Sequence, residues 1–365
     1  MSITPQAIGI IGCGDICRKA YLPGAAHYAI TEVVAVADLD VDRARSVASE
    51  HGVAKGCSVE KLLADPQIVL VENLTIPKVH AEINRAILAA GKHVYCEKPF
   101  ALSLAEAAPV LELAETKGLR VSSAPDTFLG HGLQSCRRVV DEGSIGTVVA
   151  GVMHMACPGH ESWHPSPAFY YQAGGGPLFD MGPYYITALV SILGPVRRVC
   201  AAATKGRAER EITSQPLAGT RIPVDVPTHI CGVLEFACGA AVNLIMSFDV
   251  FGHHLPRLEL YGTEGSLSLP DPNHFVGPVS LKRGREDWQE IPCQGPEHRR
   301  GAGAAELLHA VAEQRPHRAD GALAVHVVEV MESLVTAGTD HRVVELTTTC
   351  QRPAGVPVDG PEDGF

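Results

Sequence analysis

The chain of 365 residues is long enough for two domains, each with a sizeable core. Its 46% hydrophobic content excludes a disordered polymer, and no apolar run reads as long as the roughly 20 residues of a membrane span. A net charge of −11 argues against nucleic acid and anionic membranes, and favours a neutral or cationic small molecule over a highly charged phosphate.

The N-terminus has neither the basic lead nor the small-residue cleavage site of a signal peptide, so a cytoplasmic protein is expected. The run 7–17 then passes from apolar residues into closely spaced glycines, the pattern of a strand turning sharply into a helix. Gly12 permits the tight turn, and Gly14 lets the backbone approach a ligand that any Cβ would push away. The free N–H groups of the next helix favour a pyrophosphate there. A second strand, 33–37, ends in Asp38, 24 residues after Gly14 and about where a carboxylate accepts the ribose 2′-hydroxyl. Position 17 is Cys where this fingerprint has Gly or Ala, which sets the helix slightly further from the strand. The expected ligand is a dinucleotide. NAD is expected over NADP, because Asp38 repels a 2′-phosphate and no neighbouring basic residue replaces it. Arg43, one helical turn on, still reaches the adenine face or a phosphate.

Strand and helix alternate through about residue 125, which predicts a parallel sheet with crossover helices. Helix 41–52 is charged on one face and carries Ala44, Val47 and Ala48 on the other. Asp65-Pro66 breaks the chain before a buried strand at 68–71. Pro77 suits the first turn of helix 79–90, and Gly91 stops it. Strand 93–96 runs directly into Glu97-Lys98-Pro99. Ligands of open parallel sheets collect at the carboxyl ends of the strands, so Asp38, Thr75 and Lys98 are expected along one crevice. Lys98, next to a proline that fixes the backbone, can present an ammonium to a bound hydroxyl. On spacing alone, the plainer description is a solvated surface lysine paired with Glu97.

The glycine turn, the Asp38 strand end, Thr75…His80 and Glu97-Lys98-Pro99 resemble the glucose–fructose oxidoreductase, inositol dehydrogenase and rhizopine-catabolism family, over about residues 7–345. In that family the lysine contacts the nicotinamide and the substrate hydroxyl, and the resemblance carries this role onto Lys98. The candidate cofactor-binding residues are Gly12, Gly14, Asp15, Ile16, Asp38, Arg43, Thr75, His80, Glu97 and Lys98.

Helix 132–142 and strand 147–155 lead into an irregular loop, 157–165, that holds His160, Glu161, Trp163 and His164. A sugar suits such a loop, its apolar face stacking on the indole and its hydroxyls taking the polar groups. The two histidines are four apart, a metal-binding spacing only on a helix, and the prolines and glycine of the loop argue against one. No metal is expected. The glycine-led segment 174–185 opens a helix to about residue 193, with Asp180 and Tyr184 four apart on one face. In the resembling family an aspartate here positions the sugar, and a histidine four residues on exchanges the hydroxyl proton. Asp180 matches, and Tyr184 stands where the histidine is usual. A phenol has a pKa near 10, so Tyr184 needs a cation such as Lys98 to act as a base near neutrality. Alternatively Tyr184 only holds the substrate, and His160, His164 or Lys98 handles the proton; or it and Tyr185 are core tyrosines at a helix start.

Strands at 196–202, 229–236, 240–248, 257–261 and 266–269 suggest a large, mostly antiparallel sheet, with hairpin turns at 237–239 and 261–267. His253, beside Gly252 at a strand end, faces the pocket or is structural. The candidate substrate residues are Asp126, His160, Trp163, His164, Tyr185 and His253; the candidate catalytic residues are Lys98, Asp180 and Tyr184. Helices 302–314 and 322–337 are expected, by resemblance, to pack back on the nucleotide domain. The 11 cysteines, an odd number without paired metal-ligand spacing, read as buried reduced thiols.

The expected fold class is α/β: an N-terminal Rossmann dinucleotide-binding domain, 1–125, plus a C-terminal α+β domain with a large, mostly antiparallel open sheet, 126–350, and a mobile tail, 351–365. The expected function is NAD-dependent hydride transfer at a secondary hydroxyl of a sugar, glycoside, cyclitol or aminocyclitol. Two other readings stay open: an NAD-assisted glycosidase or lyase that oxidises its sugar transiently, and a non-catalytic NAD-sensing protein. A homodimer or homotetramer is implied by the resemblance alone.

Overall fold

The computed structural model describes residues 4–360 and 362–365. It divides into two compact units, one of Met1–Gln134, Gln294–Val325 and Pro353–Phe365, the other of Ser135–Cys293 and His326–Arg352. The first break thus falls after residue 134, not 125. The turn Thr127–Leu129 is fully buried, and Asp126 bonds to Gly301 and Gly303 of the same unit.

The first unit is built on six parallel strands: β1 (Gln6–Ile11), β2 (Thr31–Ala37), β3 (Lys55–Cys57), β4 (Leu70–Asn73), β5 (His93–Cys96) and β6 (Val121–Ser123). Their order is β3-β2-β1-β4-β5-β6, so the chain reverses direction across the sheet between β1 and β4. Strands β3 and β6 have three residues each, too few to show a period in the sequence. Strand β4 begins two residues later than its apolar run, and includes Glu72. The helices carry the expected caps. Asp40 accepts the N–H groups of Asp42 and Arg43 at the start of Val41–His51, and Gly52 (φ 69°) ends it. Pro77 opens a 3-10 turn, Pro77–Val79, ahead of helix His80–Ala89.

The helix after the glycine turn, residues 15–25, contains a π-type stretch, Cys17–Tyr21. It starts at the position where the fingerprint has Gly or Ala, and the wider turn accommodates the buried Cys17 side chain. The C-terminal tail, expected from its composition to be mobile, makes specific contacts with the first unit. Asp363 accepts the N–H groups of Ala29 at 2.6 Å and Ile30 at 3.0 Å, and Phe365 stacks on the buried His298 with ring centroids 4.3 Å apart. The partners that order this polar tail are remote in sequence, so composition could not reveal them.

In the second unit nine strands form one sheet, in the order β16-β15-β14-β13-β7-β12-β11-β8-β17. Its members are β7 (Val148–Ala156), β8 (Val196–Thr204), β11 (His229–Phe236), β12 (Ala241–Ser247), β13 (Leu258–Gly262), β14 (Gly265–Ser268), β15 (Val279–Arg283), β16 (Gln289–Ile291) and β17 (Val344–Glu345). All neighbours are antiparallel except β7 and β12. A separate hairpin pairs β9 (Glu209–Glu211) with β10 (Arg221–Pro223). The alternating residues Ile230, Leu234, Val242, Leu244 and Met246 are buried, and helix Gly176–Leu193 lies over β7, β11 and β12.

Of the two C-terminal helices, Ala302–Ala312 belongs to the first unit. Helix Gly321–Asp340 does not: residues 321–325 belong to the first unit and 326–340 to the second. Among the described residues it alone is long and apolar enough on average to cross a membrane, but Glu329 and Glu332 interrupt its apolar run and most of it is buried within the fold. Of the cysteines, Cys200 and Cys238 are exposed rather than buried.

Candidate active site

In the first unit the loops after β1, β2, β4 and β5 leave the same edge of the sheet, and each carries a candidate residue. Gly12 has φ 103°, and a Cβ there would sit 2.6 Å from the Leu74 carbonyl oxygen, so only glycine fits. A Cβ on Gly14 would meet nothing within 4 Å. The turn is thus closed on its sheet side and open at Gly14, with exposed Asp15 and Ile16 starting the helix. Asp38 Oδ2 accepts the Cys13 N–H at 2.9 Å, and the Arg43 guanidinium lies 3.6 Å from Asp38 Oδ1. An open cradle of backbone N–H groups with a carboxylate at the end of the adjacent strand fits a dinucleotide.

After β4, the Thr75 hydroxyl donates to Asn73 Oδ1 at 2.6 Å. The His80 ring joins this loop to the next: Nε2 is 3.0 Å from the Thr75 carbonyl oxygen and Nδ1 is 2.7 Å from that of Pro99. Burial pushes the His80 pKa down, so at neutral pH the ring carries one N–H and donates to one of these carbonyls. Lys98, at the end of β5, is half-buried. Beneath it Glu97 is buried, accepting the Lys98 backbone N–H and the Tyr21 hydroxyl, each at 2.7 Å.

In the second unit one ion-pair network shapes the loop after β7. The buried Arg210 side chain donates to the Pro158 carbonyl at 2.7 Å, to Glu161 at 2.6 Å, to the Phe248 carbonyl at 2.7 Å and to Asp249. Tyr171 donates its hydroxyl to Glu161 and accepts the His160 backbone N–H at 3.1 Å. Held in this way, His160 Nε2 lies 3.2 Å from Asp180 Oδ2, on the second turn of helix Gly176–Leu193. The His160 ring is buried against Tyr170, Phe248 and Trp163, with centroids 4.2, 4.6 and 5.1 Å away. Trp163 and Phe169 are exposed at 60% and 48%, an aromatic surface beside a half-buried carboxylate. Tyr184, one turn after Asp180, is buried.

Residues 7–124 match the family described as "Oxidoreductase family, NAD-binding Rossmann fold", and residues 133–268 match "GFO/IDH/MocA C-terminal domain". A dTDP-3,4-didehydro-2,6-dideoxy-alpha-D-glucose 3-reductase of Streptomyces violaceoruber is 30% identical over 263 residues, 72% of each chain. The chain belongs to the GFO/IDH/MocA oxidoreductase family. Another relative, D-xylose 1-dehydrogenase (NADP(+)) 2 of Haloferax volcanii, is 30% identical over 277 residues, covering 74% of this chain and 78% of that protein. Levoglucosan dehydrogenase in complex with NADH shares the fold, with a TM-score of 0.82 at 20% identity over 94% of this chain and 100% of its own.

Within this GFO/IDH/MocA framework several expected site residues take other places. Asp126 is fully buried, its carboxylate accepting the Gly301 N–H at 3.0 Å and pairing with Arg300 at 3.1 Å, so it anchors the first unit and is not presented to a substrate. Glu97 and His80 are likewise buried and hydrogen-bonded to protein groups, so they support the Lys98 loop. Tyr185 has no exposed surface, and its hydroxyl accepts from Arg257 at 3.3 Å. His253 is exposed on an irregular segment, where its Nδ1 accepts the Leu255 N–H at 3.2 Å.

Sequence reasoning missed two features. Arg210 sits in a short strand, 49 residues from Glu161, with no local signal of its role. Glu72 is a carboxyl in a fully buried central strand, where an acid is unusual enough to have been flagged. Neither of its oxygens has a hydrogen-bond partner among the described residues. Burial, with the nearby charges of Asp126 and Glu97, raises its pKa to about 8.

Proposed function

We propose that the chain is an NAD-dependent dehydrogenase acting on a secondary hydroxyl or ketone of a sugar, glycoside, cyclitol or aminocyclitol. The observation that carries this reading is Lys98 at the end of β5, on the sheet edge that also bears the open glycine turn and Asp38. Relatives named as sugar reductases and dehydrogenases support the substrate class. The preference for NAD rests on the Asp38 carboxylate, which disfavours a 2′-phosphate. Arg43, 3.6 Å from Asp38, is the residue that would have to offset it for this chain to take NADP.

The glycine turn and Asp38 would hold the dinucleotide, which supplies the hydride acceptor or donor when bound. The Lys98 ammonium would donate to the hydroxyl oxygen and stabilise negative charge as its proton leaves. Asp180 would orient the substrate hydroxyl, and the Tyr184 phenol would take its proton. Trp163 would stack on the apolar face of the ring. A cytoplasmic homodimer or homotetramer goes with this reading, to be checked by fractionation and light scattering.

The test follows NADH absorbance while the purified protein meets NAD and a panel of levoglucosan, D-xylose, simple glycosides and aminocyclitols, with Lys98→Ala as control. The expected result is NADH formed by the wild type and a loss of at least about 100-fold in the variant. Substrate consumed without NADH would replace the reading by transient-oxidation glycosidase or lyase chemistry. Dinucleotide binding with no turnover in either protein would favour the non-catalytic sensor.

A further inference from the structure

The His160–Asp180 pair is more constrained than a surface loop requires. Buried ion pairs are costly to form and leave stranded charges when one partner is lost. Here Arg210, with a side chain 3% exposed, joins Glu161 and Asp249, and the Thr228 hydroxyl donates to Asp249 at 2.5 Å. The whole assembly converges on the stretch from Pro158 to Glu161, and Tyr171 passes its restraint to the His160 backbone. Three aromatic rings then fix the plane of the imidazole. The ring has two polar atoms. Nε2 faces Asp180, and Nδ1 is buried with no partner among the described residues. With Nδ1 buried and no relay to it among the described residues, the ring is poorly placed to pass a proton on through that nitrogen. It is well placed to donate one hydrogen bond in a fixed direction.

We propose that His160 is a positioning residue that donates its Nε2–H to Asp180 and holds that carboxylate in the orientation hydride transfer requires. The imidazole acts on the substrate through Asp180 and does not itself carry the hydroxyl proton. The Arg210 network is the support that keeps it in place, as catalytic groups held within fractions of an ångström require rigid backing. The role in turnover rests on the dehydrogenase reading above; the Nε2–H hydrogen bond does not.

Two measurements on the full-length protein separate these parts. Long-range proton–nitrogen spectra of histidine-labelled protein identify the His160 resonance as the one lost in His160→Gln. The expected ring is protonated on Nε2, and the resonance moves in Asp180→Ala. An Nδ1-protonated ring, or one unmoved by that substitution, overturns the proposal whether or not any substrate is turned over. In the NADH assay, with a sugar the wild type oxidises, His160→Leu lowers kcat by about 10- to 100-fold with KM changed by less than about threefold. His160→Gln keeps an N–H donor near Nε2 and recovers kcat to within about threefold, with the pH profile of kcat retained. If the glutamine variant is as impaired as the leucine variant, or loses a limb of that profile, His160 carries the proton and the positioning role is wrong. Wild-type kcat in His160→Leu overturns it too. A wild type that oxidises none of the sugars counts against the dehydrogenase reading, and the spectra still decide the hydrogen bond.

Discussion

Asp38 and Cys13 are 25 positions apart, and a 2.9 Å hydrogen bond from the Cys13 N–H to Asp38 Oδ2 ties the end of β2 to the turn after β1. One carboxylate therefore helps to set the turn and also places its charge where a dinucleotide ribose is expected. Replacing it with serine while Arg43 stays should weaken NAD binding by about 10- to 100-fold, the size of a lost charged hydrogen bond, and lower the preference for NAD over NADP by at least tenfold. Fluorescence titration with NADH and NADPH reads both. An unchanged ratio would remove Asp38 from cofactor selection.

The two glycines of the turn should separate folding from binding. Gly12→Ala forces a side chain onto φ 103° and a Cβ 2.6 Å from a backbone oxygen, so a stability loss of about 2 kcal/mol or more is expected in denaturant titration. Gly14→Ala meets no protein atom within 4 Å and should leave stability within about 0.5 kcal/mol. Its methyl group nevertheless fills the cradle, so NADH affinity should fall at least about tenfold. Equal behaviour of the two variants would refute the assignment of the open side to the cofactor.

Glu72 makes the first unit lose stability as pH rises from mildly acidic values to about 8. Its pKa in the fold is about 8, raised by burial and then by Asp126 and Glu97, against an ordinary value of 4.5. The folded state therefore binds the extra proton between those values, and stability falls as pH rises through that window, by up to about 1.4 kcal/mol per pH unit from this group. Glu72→Gln should flatten the decline, so its Tm advantage over the wild type grows from pH 5 to pH 8. A constant difference would show that Glu72 does not titrate there.

His298 acts in the opposite direction. Burial lowers its pKa from 6.5 to about 4, so the unfolded chain takes up the proton first as pH falls. Stability from this neutral ring is intact above about pH 6.5 and is lost progressively towards pH 4. Because Phe365 stacks on the ring, hydrogen exchange at residues 362–365 should quicken over that range, and His298→Phe should suppress the change. Exchange independent of pH, after correction for its intrinsic rate, would disprove the coupling.

Much of this architecture is legible locally. The alternation of strand and helix, the glycine turn, the Asp40 and Gly52 caps and the hairpin at 237–239 are each encoded within a few residues, because backbone sterics and side-chain period act at short range. Strands β3 and β6 escaped because three residues show no period, and they exist only because a neighbouring strand offers a ladder.

The amino-acid sequence by itself determined the dinucleotide turn, the strand-end positions of Asp38 and Lys98, and the helical spacing of Asp180 and Tyr184, since these follow from chain geometry over less than one element. Only the tertiary structure decided the partners of the polar groups. Asp126 meets Arg300 across 174 residues, Asp363 meets Ala29 across 334, and His160 reaches Asp180 through a loop held by Arg210. A carboxylate or imidazole reads the same in sequence whether it faces a substrate or a buried guanidinium. What distinguishes them is desolvation, and desolvation exists only once distant segments have closed around the group.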